Sequence, residues 1–154
     1  MRSAANTLAG AVGKGLVAGL AGTAAMTISS TLEAKLRGRA PSSAPARATA
    51  KMLGIKEFED DLAEARFNDL SHWGYGTGWG ILRGLLGATG MPARTATALH
   101  GGAIYGAAQL TLPALEIGPP AIFWPKEEIA IDAFHHAVYA AATGLAYALI
   151  DGQP

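Results

Sequence analysis

The 154-residue chain contains no cysteine. Disulfides and thiolate metal sites are thereby excluded, and the compartment is left open by this route. Net charge is lacking as well: 12 Lys and Arg balance 12 Asp and Glu, so there is no basic footprint for nucleic acid. Phenylalanine numbers only 4, and the apolar half of the chain is mostly Ala, Leu and Gly rather than Val, Ile and Phe. The Gly-rich stretch from Gly74 to Gly80 has no Lys-Ser/Thr behind it and no expected strand before it, which excludes a phosphate loop. No serine lies in a recognisable nucleophile setting, and no enzyme activity is indicated.

What the chain has in abundance is glycine, 20 residues, against a usual share of about 7%. Within a soluble helix each would cost about 1 kcal/mol relative to Ala. Within a bilayer glycine is ordinary, because it lets helices approach closely. The charges are also clustered, and the gaps between clusters are long enough to span a bilayer core, which takes about 20 residues. The expected fold is an all-α, integral membrane four-helix bundle in a single domain over 1–154, with spans at about 15–32, 70–90, 95–115 and 129–150 and a polar cytoplasmic loop at 33–69. Lys14 and the length of the run behind it argue against a cleaved signal peptide. Pro41 and Pro45 mark an extended or turn segment in the loop. Phe58, Leu62, Ala65 and Phe67 mark a short amphipathic helix there.

Within the spans, Gly15 and Gly19, then Gly76, Gly80 and Gly84, then Gly102 and Gly106 repeat every four residues as smooth faces for neighbouring helices. Trp73, Tyr75 and Trp79 suit an interface belt. Arg83 is expected to snorkel to the headgroups. Gly87 to Pro92 predicts a tight turn, so spans two and three form an antiparallel hairpin. Lys and Arg concentrate in the first loop, with Lys126 in the third, placing these loops in the cytoplasm and both termini outside.

The two halves share an order of features: span, acid (Glu33 or Glu116), loop, acid (Asp69 or Asp132), histidine (His72 or His135), tyrosine, span. This reads as two parallel helical hairpins. The same topology gathers Glu33, Asp69, His72, Glu116, Asp132, His135 and His136 at one end of the bundle. Glu128, Asp132 and His136 share a helix face that Tyr139, Thr143 and Tyr147 extend inward. His100 is placed apart, since about 15 residues of helix, roughly 20 Å, separate its level from that end.

Three readings fit such a group. It can be structural, with acids and histidines pairing among themselves and with headgroups. It can move protons or a small solute, because His changes charge near neutrality. It can hold a divalent metal, His72, His136, Glu33 and Glu116 being the candidate ligands, although the Glu-x-x-His spacing of di-iron bundles appears only as Asp69-x-x-His72 and Asp132-x-x-His135. No other cofactor is expected. The expected partner is the lipid bilayer, with a second copy or a membrane complex as a further possibility.

Several features together resemble the YagU-like family of bacterial inner-membrane proteins. They are Gly19 to Glu33 followed by a Pro/Arg segment, His72 opening the second span, and Gly101-Gly102 with Tyr105 in the third. Pro113, Leu115, Gly118-Pro119-Pro120 and the acid before His135-His136 continue the likeness. Arg39-Ala-Pro41 departs from the family's Pro-Pro-Arg, and the first loop is shorter. The resemblance implies a multi-pass protein of the bacterial cytoplasmic membrane, with a loose link to acid tolerance. It implies no catalytic residues.

Overall fold

The structure, a computed structural model, describes residues 4–40 and 42–152. Pro41 lies outside the described residues. Five α-helices follow one another: α1 Ala4–Arg37, α2 Ala44–Leu53, α3 Asp61–Ala88, α4 Ala93–Ala114 and α5 Lys126–Asp151, with a single 3-10 turn at Ala121–Phe123. No strand occurs among the described residues. The chain is therefore all-helical, with four long helices and one short one where four were expected.

Local chemistry sets the boundaries. α1 ends on Lys35 and Arg37, basic residues that suit the negative end of the helix dipole. Gly38 then takes φ +63, a left-handed position that favours glycine. Asp60 caps α3 by accepting from the Ala63 amide at 2.7 Å, and Asp61 and Glu64 occupy the first turn, where acids are favourable. Glu127 and Glu128 open α5 in the same way, and Gly152 closes it in the left-handed conformation.

Three expected boundaries differ. α1 begins eleven residues before Gly15, because Lys14 does not interrupt it: its ammonium pairs with Asp151 at 2.5 Å. Pro45 sits in the first turn of α2, where its missing N–H leaves no helical bond unmade, so that segment is helical rather than extended. The amphipathic helix expected around Phe58 to Phe67 is not separate. Leu62, Ala65 and Phe67 belong to the first turns of α3, and Phe58 precedes it.

α1 is the central helix. It packs most extensively along α3, then along α5; α4 lies on α5 and closes back more weakly on α3. The α1–α3 seam has a regular ladder. A Cβ built on Gly15 would meet the Gly80 carbonyl and lie 3.2 Å from Gly84 Cα, one on Gly19 would lie 2.9 Å from Gly80 Cα, and one on Gly76 would meet Thr23. The glycines at 15, 19, 80 and 84 thus set backbone on backbone, while Gly76 makes room for the Thr23 side chain. Gly102 and Gly106 behave differently: a Cβ on either meets nothing within 4 Å. They form no packing face within this chain.

Burial is inverted relative to a water-soluble bundle. The buried apolar residues are Ala11, Ala18, Ala34, Ala46, Ala96, Ala140, Ile104, Tyr139 and Tyr147, whereas Val17, Leu20, Ile28, Leu32, Leu110, Leu145 and Leu149 are exposed. Small residues together with Tyr139 and Tyr147 make up most of the apolar interior. Ile104 is the one large aliphatic side chain among its described residues, and the other large aliphatic residues named lie outside. Among the described residues two helices, α1 and α5, are long and apolar enough to cross a membrane.

Arg83 does not snorkel. It is 0% exposed, with its guanidinium carbon 4.4 Å from the Tyr147 ring centroid and Nε donating to Thr97 Oγ1 at 3.3 Å. Its position near the end of α3 puts it beside the tight turn, where α4 and α5 enclose it before it can reach the surface.

The α1–α3 seam makes a direct prediction. Gly80→Ala drives a methyl into the Gly19 backbone, 2.6 Å from its Cα, and is expected to destabilise by about 1–3 kcal/mol, as overpacking does. Gly106→Ala enters open space and is expected to be neutral or to stabilise by up to about 1 kcal/mol. Unfolding of the two purified variants in detergent, followed by helical circular dichroism, checks the contrast.

Candidate functional site

The C-terminal end of α1, the loop after it and the N-terminal ends of α3 and α5 lie at one end of the bundle, where Arg37 ties α1 to α5, its Nη2 donating to Glu128 at 2.6 Å. α4 finishes at that end too, its Glu116 meeting Lys51 of α2 at 2.9 Å. The polar residues expected there are present, but they form separate groups rather than one cluster.

The first group is centred on α1. His135, 5% exposed, shares a hydrogen bond with Ser29 Oγ through Nδ1 at 2.9 Å. Its Nε2 is buried with no hydrogen-bond partner and lies 3.7 Å from Glu33 Oε2. Glu33 accepts from Arg37 Nη1 at 3.2 Å, from Arg39 Nε at 3.0 Å and also from Arg39 Nη2. Arg39 above all holds the Glu33 carboxyl below the usual carboxylate range; desolvation opposes it, and Arg37 adds a further lowering. Arg37 lowers Glu128 likewise, and Lys51 lowers Glu116. On the other flank of α1, His72 Nε2 shares a hydrogen bond with Thr27 Oγ1 at 2.8 Å. Thr27 and Ser29 also donate to the α1 carbonyls of Thr23 and Met26, at 2.7 and 3.0 Å. These hydroxyls are the hydrogen-bond partners of the two histidines that the sequence reading missed. They lie inside an apolar run, and only their spacing from Glu33 along α1 could have suggested them.

A second group lies between α4 and α5. Asp132 accepts from Gln109 Nε2 at 2.9 Å, and its Oδ1 is 3.4 Å from His136 Nδ1. The His136 ring meets Tyr105 edge-on at 5.3 Å between centroids. The single face expected on α5 is therefore two adjoining strips. His135, Tyr139, Thr143 and Tyr147 look toward α1 and α3. Asp132, His136, Ala140 and Gly144 look toward α4. A helix wedged between neighbours buries both, and adjacent histidines diverge by about 100°.

The remaining residues are dispersed. Asp69 is exposed. Glu116 is drawn out of the group by Lys51 and takes φ +53. Tyr139 lies in the core, 1% exposed, donating to the Gly76 carbonyl at 2.6 Å. His100, expected apart, meets the Tyr139 ring at 5.5 Å and the Trp79 carbonyl at 3.1 Å. No grouping of three His, Asp or Glu among the described residues could hold a metal ion. His72, His136, Glu33 and Glu116, the candidate metal ligands, each have different partners in the structure.

No protein-family model, no curated protein and no solved structure matches the chain.

The Glu33 network fixes a sign for acid stability. A carboxyl whose folded value is depressed contributes fully above its unfolded value, about 4.3, and loses that contribution as pH falls through the folded value. The melting temperature in detergent is expected to fall with pH below about 4, and Glu33→Gln is expected to flatten this acid limb while lowering the neutral-pH plateau. A pH series of thermal melts of both proteins measures it.

Proposed function

We propose that the chain is a small multi-pass membrane protein whose polar end responds to protonation at His135. The inverted burial supports the membrane setting: an exterior of Val17, Leu20, Ile28, Leu110 and Leu149 suits acyl chains, and small residues at the seams suit helix association in lipid. On this reading all four long helices cross. The end bearing Lys35, Arg37, Arg39, Arg47, Lys51, Lys56, Arg66 and Lys126 faces the cytoplasm, and the termini lie outside. The likeness to the YagU-like family, with its link to acid tolerance, belongs to this proposal.

The observation that carries it is the unpartnered Nε2 of His135, 3.7 Å from Glu33. In either neutral tautomer one ring nitrogen bonds Ser29 and the other makes no hydrogen bond. A second proton makes both nitrogens donors and turns the approach to Glu33 into an ion pair. The groups around His135 are Ser29, Glu33, Arg37 and Arg39 from α1 and its end, and Glu128, Asp132 and His136 from its own helix. His72 stands on the far side of α1. Protonated His135 competes with Arg39 and Arg37 for Glu33, and Arg37 is also the tie between α1 and Glu128. A proton gained inside the bundle is thereby transmitted to the loop after α1.

In vesicles loaded with a pH-sensitive dye, the protein is expected to give a proton flux that rises as external pH falls, and His135→Gln to reduce it by about tenfold or more. Equal fluxes with and without protein, or an unaffected variant, would overturn the proposal.

A second reading, an accessory subunit, is favoured by one observation: Gly102 and Gly106, four residues apart, face open space on α4 beside exposed Leu99 and Leu110. A partner helix seated there makes Gly106→Leu dissociate a complex that survives gentle detergent. Wild-type protein that sediments as a bare monomer counts against it.

A further inference from the structure

A cavity of about 590 Å³ lies at the polar end, outside the groups just described, between α2, the start of α3 and the α4–α5 loop. Its size falls in the range of ligand sites, about 300–1,000 Å³. Its walls are part apolar, from Ile55, Phe58, Leu115 and Ile117. The polar part carries charges of both signs. Arg47 and Lys56 stand on it with Asp61 and Glu64, and none of these four makes an ion pair among the described residues.

Two further features point into the same space. Asn68 lines the wall, and its side-chain oxygen is buried without a hydrogen-bond partner, a condition that native proteins rarely leave unfilled. Glu116 follows the end of α4 at φ +53, where its amide bonds the Pro113 carbonyl at 2.9 Å and the Ile117 amide bonds the Leu112 carbonyl at 2.9 Å. Glycine is the usual residue in that closing position. A glutamate held there under strain, and fastened to Lys51, keeps a carboxylate on the cavity rim. Strain retained in this way is characteristic of binding sites.

A ligand complementary to these walls has an anionic group for Arg47 and Lys56, an N–H-bearing cation for Asp61, Glu64 and Asn68, and an apolar portion for the Ile and Leu side. The exposed Met52 and Leu53 of α2 and Leu62 of α3 flank the region. We propose that this cavity binds the headgroup of a zwitterionic phospholipid with a primary ammonium, a phosphoethanolamine ester, the phosphate lying on Arg47 and Lys56. The lipid as source of that headgroup rests on the membrane setting proposed above. A quaternary choline offers no N–H to Asn68 or the two carboxylates, and a glycerol headgroup offers no cation, so the site discriminates among headgroups as well as binding them.

The test uses the full-length protein in detergent, with melting temperature and native mass spectrometry as readouts. Lysophospholipids bearing ethanolamine, choline or glycerol headgroups are titrated in parallel, and free O-phosphoethanolamine separately. The expected result is half-saturation by the ethanolamine lipid at a concentration about tenfold lower than by the other two, a difference of about 1.4 kcal/mol. The double variant Arg47→Gln, Lys56→Gln is expected to lose this preference. Gly80→Ala, on the α1–α3 seam and remote from the cavity, controls for general destabilisation and keeps it. Equal binding of all three lipids, preference for the glycerol headgroup, or an unaltered double variant overturns the proposal. Stabilisation by free O-phosphoethanolamine as strong as that by the lipid overturns the lipid as its source. Recovery of the protein from cells in the soluble fraction would instead overturn the membrane setting, an outcome separate from headgroup selectivity in detergent.

Discussion

The backbone contact between α1 and α3 is the constraint on which the other elements depend. Gly15 and Gly19 meet Gly80 and Gly84 with no side chain between them, so the axes approach closely and dispersion contacts are made along the whole seam. α1 can then serve both neighbours at once. Its α3 flank is filled by glycine and Thr23, and its other flank receives Tyr139 and Thr143 beside Gly22. A bulky residue at any rung would separate the helices along their length, because two rigid rods cannot diverge at only one point. Large aliphatic side chains have no place in such an interior, and they appear outside, at Val17, Leu20 and Ile28. The proposed bilayer is the solvent in which that exterior is favourable.

A tight interior also decides where polar groups can sit. Inside the seam the hydroxyls of Thr23 and Thr27 turn back to their own helix, bonding the carbonyls of Gly19 and Thr23 at 2.8 and 2.7 Å, which satisfies them without space for water. Histidines enter only at the end of the seam, where α1 carries Thr27 and Ser29 in place of glycine and the helices can hold imidazoles. His72 and His135 flank α1 there. Beyond them the chain leaves the seam and the charged residues Glu33, Arg37, Arg39 and Glu128 tie the helix ends. The order from glycine to hydroxyl to imidazole to ion pair is a gradient of available space as much as of polarity.

Much of this was legible in the sequence. The four-residue glycine spacing marked smooth faces on α1 and α3 without saying that they face each other, and the charge gaps marked four long helices with Glu33, His72 and His135 at one end. Three things were not legible. Lys14 looked like a boundary because its partner, Asp151, is 137 residues away. Arg83 looked like an interface residue because linear distance from the helix end says nothing about whether neighbouring helices enclose it. The single polar cluster resolved into separate groups because helical periodicity defines a face but not which neighbour covers it: His135 and His136, adjacent in sequence, belong to different helix pairs. The glycines at 102 and 106 repeat the pattern of the others, yet spacing cannot distinguish a face used within the chain from one left open.

α3 and α5 are related by a constant offset along the chain. They run in the same direction, and Tyr139 reaches the Gly76 carbonyl while Tyr147 reaches that of Gly84, each across 63 residues. The same offset aligns Asp69 with Asp132 and His72 with His135. At the polar end, then, the two helices carry the same residue types, and both histidines are directed at hydroxyls of α1. Deeper in, they differ in a complementary way, glycine on α3 facing tyrosine on α5. Glycine leaves its carbonyl uncovered, and tyrosine supplies the donor that reaches it together with the ring that fills the missing volume. If two copies of one helix were packed on α1, both would offer glycine and leave a void, or both would offer tyrosine and overfill it. The likeness of the ends and the complementarity of the middles follow from the two demands on the bundle: matched polar groups where space opens, and unequal side chains where it closes.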